Sequence, residues 1–220
     1  MVAASVSGME SEAAVAPADE VTAELAAMLG RLGTVADQAD HDGPTDADRI
    51  DRIALLERIR SAAAAAQYAE MVSFARSQVE KQIADDTVDP KVVGRGIGDQ
   101  IALACRVSPF TGSRRLGVAR ALQAELPGVR ALLVEGRISD DTAALIVSET
   151  SHLDPDRRRQ VDDRLCAAGI EQLSTRRAAA LARRFAYEAD PAGYVSRGRT
   201  ARGDRRVTLR PAPDLSLIHI

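Results

Sequence analysis

Residues 97–151 read IGDQIALACRVSPFTGSRRLGVARALQAELPGVRALLVEGRISDDTAALIVSETS, and their punctuation decides the fold. Pro109 and Gly112 part a first apolar-periodic segment from a second. Pro127 opens a third, Gly136 ends it, and Ser139 caps a fourth. Apolar residues recur at helical spacing between these marks, which predicts helices over 98–106, 111–126, 128–135 and 139–151. Toward the C-terminus, Asp154 and Pro155 form an N-cap and first-turn proline, and Gly169 and Ser174 end one helix and start the next. These marks predict helices over 155–168 and 174–189.

Toward the N-terminus, Asp85 to Gly98 is a connector holding Pro90, Gly94 and Gly96. Before it a long helix is expected from about Asp46, capped by Thr45 or Asp46, to about Ala84. Ile50, Ile53, Leu56, Ile59, Ala63, Ala66, Met71 and Phe74 follow at helical spacing, and such length implies a bend or neighbours along its course. Asp19 to Leu32 reads as a short amphipathic helix with Val21, Leu25, Met28, Leu29 and Leu32 on one side. Gly33 to Thr45 breaks that pattern, and Met1 to Ala18 reads as a disordered acidic leader. Only Arg205 to Pro211, RRVTLRP, alternates like a strand.

Composition agrees. Alanine fills 40 of 220 positions, 27 of the 29 basic residues are Arg, and aromatic residues make 3%. This mix favours helix and gives little material for a sheet. The expected class is all-α: a multi-helix bundle of one long and several short helices, with a short C-terminal strand segment left unpaired. The sequence lacks Asn and Trp, and its histidines, His41, His152 and His219, are scattered. Cys105 and Cys166 have no C-x-x-C spacing, so neither a zinc knuckle nor a redox pair is encoded, and both are expected to pack in apolar helix faces. There is no basic, apolar start of a secretory signal and no run of eighteen apolar residues, so the chain reads as soluble and cytoplasmic, without a membrane partner.

The net charge of -3 hides a gradient: -7 over residues 1–60, -2 over 61–154 and +6 over 155–220. An Arg-rich C-terminal part suits a polyanion, and the competing reading is ordinary helix surface. In residues 97–126 the grammar is that of a helix-turn-helix: Ile101, Ala102 and Cys105 would pack on Leu116, Ala119, Leu122 and Leu126. Arg114 would then point outward and Arg120 flank the apolar face, both able to reach phosphates, while Arg115 falls inside the apolar arc as a snorkelling or ion-paired residue. The second corner, around Gly136 and Ser139, is read as packing, since Asp140 and Asp141 suit the helix dipole but oppose a phosphate. In the last helix Arg176, Arg177, Arg183 and Arg184 recur seven apart and form a basic stripe. Arg157, Arg158 and Arg159, with Arg197, Arg199, Arg202, Arg205, Arg206 and Arg210, would extend it into a phosphate-tracking surface for double-stranded DNA, with steep salt dependence. No phosphate loop, nucleophile elbow or H-E-x-x-H motif occurs, and the adjacent pairs Asp85-Asp86, Asp140-Asp141 and Asp162-Asp163 read as caps and solvated faces. Neither catalytic residues nor a small-molecule cofactor is expected in this chain.

Over about residues 46–213 the ordered segments resemble the actinobacterial 13E12 repeat family, domain of unknown function 222. The likeness lies in LPGVRALLVEGRIS (126–139), LDP (153–155), LSTRRAAAL (173–181) and RRVTL (205–209). In that family the helical region commonly precedes an HNH nuclease domain, whose histidines activate water and hold a divalent cation. The resemblance implies a nucleic-acid-binding helical region of an HNH-type endonuclease, with that domain and its metal lying outside this chain. None of its catalytic residues maps to a position here. The alternative is a stand-alone helical module for protein interaction or self-association through the Ala-rich long helix.

The end of the chain, LSLIHI (215–220), matches the translation of a transposase mosaic-end adaptor, which predicts a reading frame truncated before its natural end. The competing reading is an apolar tail that adds a strand beside Val207 to Leu209. The expected organisation is a leader over 1–45, the helical domain over 46–190, an Arg-rich loop and strand over 191–214, and an adaptor-derived tail over 215–220.

Overall fold

The computed structural model describes residues 20–37, 43–193, 208–211 and 216–219. The chain divides into two compact units, Met1–Ile50 and Asp51–Ile220. In the first, helix α1 spans Glu20–Asp37 and buries none of its residues. It runs past Gly33, where the sequence predicted a break. A glycine costs a helix about 1 kcal/mol and does not end it unless the following residues abandon the pattern. Val35 continues the apolar stripe, and the Thr34 hydroxyl donates to the Gly30 carbonyl at 3.2 Å.

Helix α2 spans Asp46–Ala84. Its start is a capping box: the Thr45 amide donates to Asp48 Oδ2 at 2.8 Å, and the Asp48 amide to Thr45 Oγ1 at 3.2 Å. Residues 51–60 are exposed throughout. Burial begins at Ser61 and recurs at Ala65, Tyr68, Met71 and Ala75, one helical stripe set against the core.

After a 3-10 turn at Pro90–Val92 come α3 (Ile97–Ala104), α4 (Pro109–Ala124), α5 (Pro127–Val134), α6 (Asp140–Glu149), α7 (Pro155–Ala167) and α8 (Thr175–Ala189), with a 3-10 turn at Ile170–Gln172 before α8. Ser139 and Asp154 cap where expected, Ser108 adds a cap that the sequence reading does not name, and Ser174, the expected cap of α8, makes no side-chain capping hydrogen bond. The side chains of Ser108, Ser139 and Asp154 accept from the amides of Thr111, Thr142 and Arg157. Helices α3 and α5 end alike, on a residue with positive φ: Arg106 at 54° and Gly136 at 67°. In both, the next amide reaches back five residues, Val107 to Ala102 and Arg137 to Leu132, each at 2.9 Å. Glycine at 136 also meets a second demand, since a Cβ there would lie 2.6 Å from the Arg58 carbonyl oxygen.

Ile101, Ala102, Leu116, Ala119, Leu122 and Leu126 are all buried, as the helix-turn-helix reading requires, and Cys105 packs half-buried beside them. The two helices close on glycine: a Cβ at Gly112 would sit 2.4 Å from the Gly98 carbonyl oxygen. Leu126, Val129, Leu133, Ile146, Val161, Leu165 and Ile170 are essentially inaccessible and bring α4 to α7 onto one core, closed by Ala178, Ala182 and Ala186 of α8.

Two buried charges hold this arrangement. Asp162 of α7, 1% exposed, accepts from the Gly128 amide at 2.7 Å and the Val129 amide at 2.9 Å, capping α5 where Leu126 cannot. Arg158, 6% exposed, donates to Thr150 Oγ1, the Val147 carbonyl and Glu125 Oε2. Arg158 therefore leaves the expected phosphate-facing set, and Asp162 is a cap on another helix rather than a solvated face.

The all-α class holds, with one correction. The strand expected to lack a partner has one: β1 (Thr208–Pro211) pairs antiparallel with β2 (Ser216–His219), in the register Leu209 to Ile218. The tail that reads as adaptor supplies the second backbone of the ladder.

Candidate nucleic-acid interface

The arginines selected from sequence fall into two groups. Arg183 and Arg184 lie toward the C-terminal half of α8 and are ion-paired. Arg183 Nε and Nη2 sit 3.0 and 2.8 Å from the two oxygens of Glu149, the fork geometry that suits a carboxylate. Arg184 reaches Glu188 at 3.4 Å, and Arg164 meets the same carboxylate at 2.5 Å. Both guanidinium groups also stack on Phe185, at 5.0 and 3.9 Å from its ring centroid. On α7, Arg157 pairs with Asp154 and Asp190, and Arg159 with Asp156. Over these turns the stripe expected from sequence is a surface of paired charges. The arginines at 197, 199, 202, 205 and 206 lie outside the described residues.

Arg114, Arg120, Arg176 and Arg177 differ. All four are exposed, and none has an ion-pair partner among the described residues. Arg114 stands over a groove of about 720 Å³ between α4 and α6, walled by Val118 and Leu145. Ser148 and Thr175 line the same groove. Thr175 directly precedes Arg176 and Arg177, which are exposed in the first turn of α8. Thr175 Oγ1 is held 2.8 Å from Thr142 Oγ1, and the Ser174 side chain makes no capping hydrogen bond. The first turn of α8 thus presents backbone donors beside its two arginines. Arg120 lies outside this groove, farther along α4. Sequence reasoning missed Thr175 and Ser148, whose only signal is their meeting across the fold.

Acidic groups temper the groove. Asp141 lines it. Asp140 is engaged elsewhere, accepting from the Tyr68 hydroxyl at 2.5 Å. Burial first, and then that carboxylate, push the Tyr68 hydroxyl well above its ordinary pKa, against the smaller opposing effect of Arg115 and Arg114. Arg115 is half-buried, in keeping with its place inside the apolar arc. Cys105 and Cys166 are free thiols, half-buried against the core as expected. Burial, and then Asp162, push the Cys166 thiol up to about 11.

Among the described residues no group of three or more His, Cys, Asp or Glu side chains is placed to hold a metal ion. They do not fit the divalent cation of an HNH unit, and no chemical step is routed through one. No helix among the described residues is long and apolar enough to cross a membrane. The family model described as "Domain of unknown function (DUF222)" matches residues 53–220. No curated protein and no solved structure matches the chain.

Proposed function

The chain belongs to the domain of unknown function 222 family, and from that premise we propose that it is a nucleic-acid-binding helical region working with an HNH-type endonuclease unit outside this chain. One observation carries the reading: Arg114, Arg176 and Arg177 are exposed with no ion-pair partner among the described residues, Arg114 lining a groove that Thr175, the residue before Arg176, also lines. Exposed arginines without a carboxylate attract phosphate at no cost in broken ion pairs, whereas Arg183 would first have to leave Glu149. Contacts of this kind fix position on a duplex and carry little sequence information, so the proposed role is backbone tracking, with the cutting chemistry supplied elsewhere.

The test is duplex binding by the full chain across a salt series. A linear fall of log affinity with log salt, weakened by Arg114→Ala and by Arg176→Ala, is the expected result. Absence of binding at low salt, or binding indifferent to both changes, rejects the proposal.

A further inference from the structure

Helix α4, PFTGSRRLGVARALQA, carries three arginines and no acidic residue. Gly112 closes on α3, and Val118 and Ala121 line the groove shared with α6. Between these packed sides an arc of the helix stays open. A helix turns about 100° per residue, so, counted one way from Arg114, Phe110 lies at about 40°, Gly117 at about 60°, Ser113 at about 100° and Arg120 at about 120°. All five are exposed, Phe110 by 79%. The arc thus has an arginine at either edge and low relief between them, broken by one aromatic ring at its N-terminal end.

Gly117 is the informative residue. Glycine inside a helix costs stability relative to alanine, and its use there is to let another backbone or a ligand come close. Among the described residues beyond its own turn of helix, nothing lies within 4 Å of the position a Cβ would take at Gly117. Packing within this chain therefore does not call for glycine, and the space is open to a partner. Charge selects that partner: neither Arg114 nor Arg120 has an ion-pair partner among the described residues, and α4 offers them no carboxylate of its own. Asp141, the one carboxylate lining the groove beside Arg114, limits the attraction without cancelling it. We infer that α4 is the helix that enters the major groove of duplex DNA. Arg114 and Arg120 face the phosphates on its two sides, Ser113 and Gly117 face the base edges, and Phe110 meets a thymine methyl. The major groove of B-DNA, about 12 Å wide, admits one helix, and Phe is among the side chains that contact the thymine methyl; the deep, narrow groove of duplex RNA admits none. The inference rests on the nucleic-acid reading above and adds to it the helix that docks and a preference for thymine.

Binding of the full chain to an A·T-rich DNA duplex, and to the same duplex with uracil in place of thymine, tests it. Uracil lacks only the C5 methyl, so it is expected to lower the affinity of the unaltered chain severalfold and to leave that of Phe110→Ala unchanged. Arg120→Ala should flatten the log-log salt slope by about one. Gly117→Gln should raise the urea midpoint, since glutamine is the better helix former, while lowering duplex affinity on the order of tenfold. Those opposite signs are not what a folding defect produces. Affinity unmoved by Gly117→Gln, a salt slope unmoved by Arg120→Ala, or equal binding to the thymine and uracil duplexes overturns the placement of α4. The effects of Arg114→Ala and Arg176→Ala would then still support the nucleic-acid reading, whereas no duplex binding at low salt removes both.

Discussion

The first turn and the middle of α8 carry the same dipeptide, Arg-Arg, seven residues apart, and they are different surfaces. At the first turn Arg176 and Arg177 stand exposed, with no ion-pair partner among the described residues. Two turns later Arg183 is clamped by Glu149, and Arg184 shares Glu188 and the Phe185 ring with Arg164. Helical periodicity places all four arginines correctly, but availability to a phosphate depends on carboxylates delivered by other helices. Among the described residues positive charge thus divides into arginines that are ion-paired and arginines that are not.

The largest expected effect is at the interior extreme of the first kind. Arg158→Ala removes three hydrogen bonds at once and leaves Glu125 facing no cation. Breaking such a buried pair costs about 3–5 kcal/mol, and chemical denaturation should show it. If Arg158 belonged to the binding surface, stability would barely move and duplex affinity would fall.

Asp162 sharpens the contrast from the anionic side. Asp162→Asn turns an amide donor toward one of the two backbone donors it now accepts from, at a cost of about 1–3 kcal/mol. Burial, opposed by those same amides, raises its carboxyl pKa above the ordinary value. The folded state therefore binds this proton more tightly than the unfolded chain does. Its contribution is full below the ordinary aspartate pKa and declines as pH rises through the raised value. The stability gap between the two proteins should change across that window in urea melts, and a gap flat with pH would contradict the assignment.

A smaller effect tests the pairing in the middle of α8. Glu149→Gln releases Arg183 from its carboxylate at a stability cost of roughly 1 kcal/mol or less. If pairing is what withholds Arg183 from phosphate, the salt slope of duplex binding should steepen by about one contact. The mildest expected change is Arg183→Ala, with stability lowered by about 0.2–1 kcal/mol and duplex affinity nearly unchanged.

These contrasts mark how far the sequence could be read. Helix order and ends are legible because their causes are local: Pro109, Ser139, Asp154 and Pro155 act within one turn of themselves. The core of α3 and α4 was legible from spacing. Gly33 misled because a tolerated glycine and a terminating one look alike in a single chain. The pairing of β1 with β2 matches the competing reading of LSLIHI as a strand-forming tail, a choice that depends on a neighbour and not on the local pattern alone. What stayed hidden is long-range: Glu149 meets Arg183, and Asp162 caps Gly128, each across 34 residues. The candidate site was accordingly half visible, its arginines named but their partners not.

The most direct measurement sets the two groups against each other in one assay. One variant carries Arg114→Ala, Arg176→Ala and Arg177→Ala, the other Arg157→Ala, Arg183→Ala and Arg184→Ala, and duplex affinity is followed across salt. Removing the first three should flatten the log-log slope by about two to three, while removing the second three should leave it within about one of the unaltered chain. Equal losses from the two variants, or a larger loss from the second, would contradict the division of arginines on which this account rests.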